Sequence, residues 1–431
     1  MLLGAGAALG QVAVNPVAPA DDAYAPAKTA AELEARYTAI LVALKNPPAT
    51  GILIAELGPY SAGARAGLRP GDVVTEYDGT KLDNRADANR AEMLRVAVAK
   101  AIGESERPWA NPQVALIVKR AGKTVVINAD RQPLGLRALA VEAGVGLPPN
   151  PPATSRGSFA LEWTPSGGWY HVGDVTGPDG AEQQEFAVVR QVATLTVATR
   201  VINAGGKIVA DAQAATIRMN VSDRTTTYGV TLDQFTYRDE LADVSAMCKA
   251  GMVKGTIVRR LTDIKQQLER PTLPEAICSL AVPSLAAALP QKENIVLPLA
   301  VIDELDLQTR MGYALETRGK ATMTIASEAR DGFSVRLWHF GQVEATYFFS
   351  PQRELIFAEY EAGVGGVKLL RAANEEAAIK ALVTLPGTTR PTSAPATRPA
   401  TVPALEVRAI DPAAGTNPGP ATSPATRKDG P

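Results

Sequence analysis

The chain holds only two histidines, His171 and His339, so any proton relay built on imidazole has to use one or both. Each lies in an aromatic stretch, His171 beside Trp169 and Tyr170 and His339 beside Trp338 and Phe340. With Glu162 and Glu344 near in sequence, the two segments could face one another across a pocket, or each imidazole could be satisfied locally within a sheet. A Ser-His-Asp triad requires a histidine placed to take the serine proton, and neither histidine lies in a protease motif. Gly-x-Ser-Gly-Gly, His-Glu-x-x-His, Asp-Thr-Gly, the phosphate loop and the dinucleotide glycine motif are all absent from the sequence, so no cofactor is implied. Cys248 and Cys278 are too few for a structural zinc site; they fit either a disulfide or two buried thiols. Asp303, Glu304 and Asp306 read as a solvated strand edge or turn.

What must position these residues is a chain of 431 residues, long enough for two or three domains, with 46% apolar residues to build cores. Its 44 basic and 45 acidic residues are interspersed and leave a net charge of −1, which gives no nucleic-acid footprint. Residues 1–27 begin with a small, apolar stretch ending Ala18-Pro19-Ala20, similar to a secretory leader without its usual basic start. No later stretch has the apolar length of an integral membrane span. An exported, envelope (periplasmic) location is the expectation.

The spacing is most specific from Gly51 to Leu82. Ile52, Leu53 and Ile54 read as a strand stopped at Gly58-Pro59; Ser61 to Gly67 suits one helical turn; Leu68 is an apolar plug before Arg69-Pro70-Gly71-Asp72. Val73 and Val74 open a second strand that reaches the hairpin dipeptide Asp78-Gly79. Ser61-Ala62, Ala66-Gly67-Leu68, Gly71-Asp72 and Asp78-Gly79, with Arg120-Ala121-Gly122-Lys123 between two later strands, resemble the bacterial PDZ domain of HtrA-like and carboxy-terminal processing proteases, over about residues 50 to 138. That resemblance implies a protein or peptide partner added as a strand to a sheet edge beside a helix. The helix is expected over Asp83 to Ile102, where Arg90, Leu94 and Val98 share one face that either lines the groove or packs on the sheet. In place of the family's carboxylate-binding loop and groove strand, residues 28 to 45 read as a helix with Thr29 and Glu32 as a capping box. Trp109, in the loop from Glu104 to Pro112, is either a contact residue or folded back on its own domain.

Residues 141–157 read as a Pro-rich linker. Residues 158–385 are expected to form a mostly antiparallel β domain, with strand signals over Phe159 to Trp163, Trp169 to Val175 and Phe186 to Val201 and turns such as Ser166-Gly167-Gly168 between them. It carries a helical insert in which Ile257, Leu261, Ile264 and Leu268 recur at helical spacing and Leu273 to Leu289 follows. The aromatic hairpin from Thr346 to Ile356 resembles those closing the half-barrel sheets of envelope lipoprotein carriers. Two blocks of strands around the helical insert suggest one large curved sheet with helices against its concave face, which either holds an apolar ligand or is filled by those helices. Residues 386–431 are rich in Pro, Thr, Ala and Ser and read as a disordered tail. The fold class is therefore α+β. The expected function is non-catalytic partner binding, the alternative an enzyme or protease-accessory protein with its site in the second domain.

Overall fold

The computed structural model describes residues 26–58, 61–84, 89–105, 111–147, 159–173, 178–202, 208–221, 229–325, 328–360 and 367–380. The leader-like segment, Trp109, most of the Pro-rich linker and the C-terminal tail lie outside the described residues. Helix α1 (Ala30–Lys45) begins where the sequence places it: the Thr29 hydroxyl accepts from Glu32 N at 3.2 Å. The returning bond of the capping box lands one residue earlier than usual, with Lys28 N donating to the Glu32 carboxylate at 2.7 Å.

The first sheet is built from β1 (Gly51–Leu57), β2 (Val73–Tyr77), β3 (Thr80–Lys81), β4 (Gln113–Arg120), β5 (Lys123–Asp130) and β6 (Leu136–Val141). Between β1 and β2 lies the single-turn helix α2 (Ala62–Arg65), with the Ser61 hydroxyl accepting from Ala64 N at 3.1 Å. Helix α3 (Arg90–Ser105) begins well after Asp83, and residues 85–88 are outside the description. Leu68 is fully buried as the expected plug. Gly71 makes the reversal at φ +91, a conformation a side chain would resist, and buried Asp72 locks it by accepting from Arg69 N and from both ends of the Arg120 guanidinium. The strand order is β5-β4-β2-β1-β6, with β3 on β2. Thus β6, drawn from the residues after β5, takes the place beside β1 that the sequence left without an occupant.

The second sheet has fifteen strands in one ladder. They are β7 (Ser166–Gly173), β8 (Pro178–Val189), β9 (Val192–Ile202), β10 (Ile208–Asn220), β11 (Thr231–Asp239), β12 (Ala242–Lys249), β13 (Met252–Arg259), β14 (Ile264–Pro271), β15 (Ile277–Cys278), β16 (Glu293–Ile302), β17 (Thr309–Ile325), β18 (Glu328–His339), β19 (Gln342–Phe349), β20 (Leu355–Tyr360) and β21 (Lys368–Ala372). They run β14 through β7 in descending order, then β21 through β15, antiparallel except where β15 joins β16. The sheet curls until its ends approach: the Thr309 hydroxyl of β17 donates to the Pro271 carbonyl of β14 at 3.1 Å, and Arg259 reaches the Leu305 carbonyl at 3.3 Å. Its apolar lining closes on a 3-10 turn, Ser279–Ala281, and helix α4 (Val282–Ala288), whose Val282, Leu285 and Ala286 are buried among residues of strands from both halves. Helix α5 (Glu375–Lys380) packs on β7 and β8.

The helical insert is shorter than the sequence suggests. Ile257, Leu261, Ile264 and Leu268 belong to the β13–β14 hairpin, not to a helix. A spacing of four is a multiple of the strand period as well as near the helical one, and the Val253-Lys254-Gly255-Thr256-Ile257 run favours the strand. Phe159 to Trp163 is not a strand, and Ser166-Gly167-Gly168 lies inside β7 instead of forming a turn. Phe186 to Val201 is two strands, folded back at Arg190-Gln191 with φ of +49 and +67. Both turn residues are left-handed without glycine, so the turn carries no sequence signature.

Candidate functional site

The residues singled out from the sequence bear on two places first, the seam between the sheets and the edge of the first sheet beside α3. The seam is set by β1. Ile52 and Ile54 face the core under α3, while Leu53 faces a second core with Ile40 and Leu44 of α1, Leu139 and Val141 of β6, and Phe340 from the β18–β19 turn. Between Ile54 and Glu56 the pairing with β6 slips, as Ile54 opposes Ala138 and Glu56 opposes Arg137. The bulge lets both Ala55 and Glu56 face the large sheet, where strict alternation would have turned Glu56 into the first core.

Glu56 therefore meets His339, the last residue of β18. The Glu56 carboxylate lies 3.3 Å from His339 Nε2, which also sits 3.1 Å from the Met311 carbonyl. Both neighbours are acceptors, so Nε2 carries the proton. Nδ1 has no hydrogen-bond partner among the described residues and faces the Glu344 carboxylate at 3.8 Å. Glu344 is itself paired with Arg137 of β6. The ring of Tyr313 stacks on the imidazole at 3.8 Å. Behind Glu56, Arg310 reaches Asp303 at 2.8 Å, Glu56 at 3.6 Å and Asp306 at 3.7 Å.

Burial pushes the His339 imidazole down to about 4, against the attraction of Glu56. Burial works to raise the Glu56 carboxyl, but His339, Arg310 and Arg137 together hold it at about 2. Asp306 is driven up to about 7, first by burial and then by the charge of Asp303. The seam is a buried charge network joining the two sheets.

His171 is elsewhere. Three strands, β21, β20 and β19, separate β7 from β18, roughly 19 Å along the sheet at about 4.8 Å per strand. Its Nδ1 donates to the Ala378 carbonyl of α5 at 2.9 Å, which makes it a buried tie for that helix. The two histidines thus do not share a pocket. Of the two carboxylates considered with them, Glu344 joins His339, whereas Glu162 is exposed and pairs with Arg353 at 2.5 Å. Asp303 and Glu304 are not on a solvated face; each is only 6% exposed. Glu304 accepts from Cys278 Sγ at 3.0 Å, Ser279 Oγ at 2.6 Å and Leu280 N at 3.0 Å, so it ties down the start of the segment leading into α4. Cys248 and Cys278 are free thiols, and burial, with Glu304 adjacent, raises Cys278 well above its ordinary value.

At the edge of the first sheet, the three residues expected to share a groove face have different surroundings. Leu94 is a core residue, 4% exposed. Arg90 is buried with its guanidinium donating to the Asn84 carbonyl at 3.0 Å. Only Val98 stands half-buried at the margin of the core, together with Met93 and with Leu136, Ala138 and Ala140 of β6. Alternation along β6 sends these three toward α3, and Arg137, Leu139 and Val141 toward the seam. As the last strand of its sheet, β6 pairs on one side only, with β1.

No family model matches the chain, and no curated protein matches it. Among the described residues no three His, Cys, Asp or Glu side chains converge to hold a metal ion, and no helix is long and apolar enough to cross a membrane.

Proposed function

We propose that the protein is a non-catalytic, PDZ-type binding protein of the cell envelope, which takes an extended segment of a partner protein as an added strand on β6, beside α3. The observation that carries this reading is the placement of β6. A PDZ groove needs an edge strand next to the second helix, and β6 supplies that edge from downstream of β5. Main-chain hydrogen bonds to β6 would give affinity, and the half-buried rim of Met93, Val98, Ala138 and Ala140 would select apolar side chains. The order of turn signals from Ser61 to Gly79, the capped α2 and the Leu68 plug support the same reading. The leader-like start supports export. The large sheet is a scaffold in this reading, since its lining packs against the 3-10 turn and α4.

The test is fluorescence-polarisation binding of the full chain to a library of C-terminal peptides, each also in amidated form. The full chain is required because Leu53, Ala55, Leu139 and Val141 pack against Phe340 of the second sheet. Val98→Glu is expected to weaken binding at least tenfold with an unchanged circular dichroism spectrum. Leu94→Glu is unsuitable because it places a charge in the core. Loss of affinity on amidation would mean that a carboxylate is read as well as the strand. Absence of binding to every peptide, or full affinity in Val98→Glu, would overturn the proposal.

A further inference from the structure

β14 ends the large sheet on the side away from β15. It pairs with β13 along its whole length, from Ile264 opposite Arg259 to Pro271 opposite Met252. Residues 264 to 267 and 269 are exposed. A strand so placed presents alternate main-chain donors and acceptors to solvent. Proline, a common block to edge pairing, occurs only at its buried end, Pro271.

The side chains of β14 form a charge palindrome. Lys265, Gln267 and Glu269 project from one face; Leu268, on the other, packs against the core, so the first set faces outward. Lys265 has no ion-pair partner among the described residues, whereas Glu269 meets Lys254 of β13 at 2.8 Å. We propose that β14 pairs antiparallel with β14 of a second copy of this chain, about a two-fold axis through Gln267. An axis normal to the sheet keeps inner faces with inner faces, so each residue opposes one of the same parity. Centred on Gln267, Lys265 of each copy opposes Glu269 of the other, and each Glu269 carboxylate then lies between two lysines. Ile264, 49% exposed, comes opposite the aliphatic stem of Arg270 of the second copy. Moving the axis one residue to Gln266 would set Asp263 against Glu269, a like-charge pair on both sides.

The experiment is sedimentation velocity of the full chain over a concentration series. An eight-residue edge is a small contact, so a reversible, concentration-dependent dimer is expected. Lys265→Glu and Glu269→Lys each oppose like charges twice and should raise the dissociation constant at least tenfold. The double exchange recreates both pairs and should dimerise like the native chain, which a misfolded variant would not do. In a Cys248→Ser background, Gln267→Cys should form an intermolecular disulfide on mild oxidation. Directly opposed residues have Cα atoms about 4.5–5.5 Å apart, within the range a disulfide spans. Gln266→Cys, offset from its own copy by two residues, should not. A native chain monomeric at every concentration without a Gln267→Cys crosslink, single exchanges without effect, a double exchange that stays monomeric, or equal crosslinking at position 266 would each overturn the proposal.

Discussion

Arg353 illustrates how a buried charge is held by carbonyls in this protein. It sits 7% exposed at φ +69 and donates to the Ala287 carbonyl at 2.7 Å and the Leu289 carbonyl at 2.6 Å, at the C-terminal end of α4. Those carbonyls have no further helical turn to accept from, and a guanidinium there also meets the negative end of the helix. Arg353→Met keeps much of the volume but strips the donors, and should cost about 2–4 kcal/mol in urea unfolding. Its partner Glu162 is 70% exposed, so Glu162→Gln should change stability by less than about 1 kcal/mol. Glu304→Ala belongs with the first case: three donors lose their acceptor, and a loss of about 2–4 kcal/mol is expected by the same measurement. None of this was legible from residue types. Glu304 and Asp303 look like surface acids in sequence because nothing local says that Cys278 and Ser279 will arrive beside one of them and Arg310 beside the other.

The elements of the seam make the stability of the fold depend on pH. The groups facing His339 are Glu56 of β1, Glu344 of β19 and Tyr313 of β17, with Arg137 of β6 and Arg310, Asp303 and Asp306 around the carboxylates. The unfolded chain protonates His339 near 6.5 and the folded one only near 4, so acidification between those values removes stability. Asp306 acts oppositely: it binds its proton near 7 when folded and near 3.8 when unfolded, so stability grows over nearly the same interval. Glu56, at about 2 when folded against 4.5 when unfolded, adds a loss below pH 4.5. The native chain should therefore vary little between pH 6.5 and 4 and weaken below that. Asp306→Asn removes the compensating group, so this variant should lose about 1–3 kcal/mol between pH 6.5 and 4 in chemical denaturation. A variant with the native profile would show that the two titrations do not oppose each other. At this scale the sequence was legible where turn chemistry is explicit, as at Asp78-Gly79 and Ala121-Gly122, whose φ values are +48, +76, +46 and +79. It was silent at Arg190-Gln191, where tertiary pairing forces two ordinary side chains into the same turn.

Across the whole molecule, the two sheets share one core through Phe340. This residue is 4% exposed, packs 6.0 Å from Tyr37 of α1, and stands at φ +48 in the turn between β18 and β19. Phe340→Ala should cost about 3–5 kcal/mol and split a single calorimetric unfolding transition into two, one for each sheet. A single transition, merely shifted, would mean that the charge network alone couples the sheets. The α+β class, the capped first helix, the order of elements through the first sheet and the later strands from β16 to β20 follow from local rules of periodicity, capping and turn type. Local rules could not decide which strands end the sheets, because edge position is a property of pairing between distant segments. So β6 filled a place that looked empty, β13 and β14 replaced an expected helix, and His339 was separated from His171 and joined to Glu56 through a one-residue bulge. The sequence by itself determined strands and helices where capping, turn type and apolar period agree, because those choices depend on a few neighbouring residues; it did not decide β13 and β14, whose apolar spacing fits both periods. Tertiary structure alone decided which side chains meet and which main-chain edges stay open, because both depend on long-range register, where a shift of one residue turns a side chain to the opposite face.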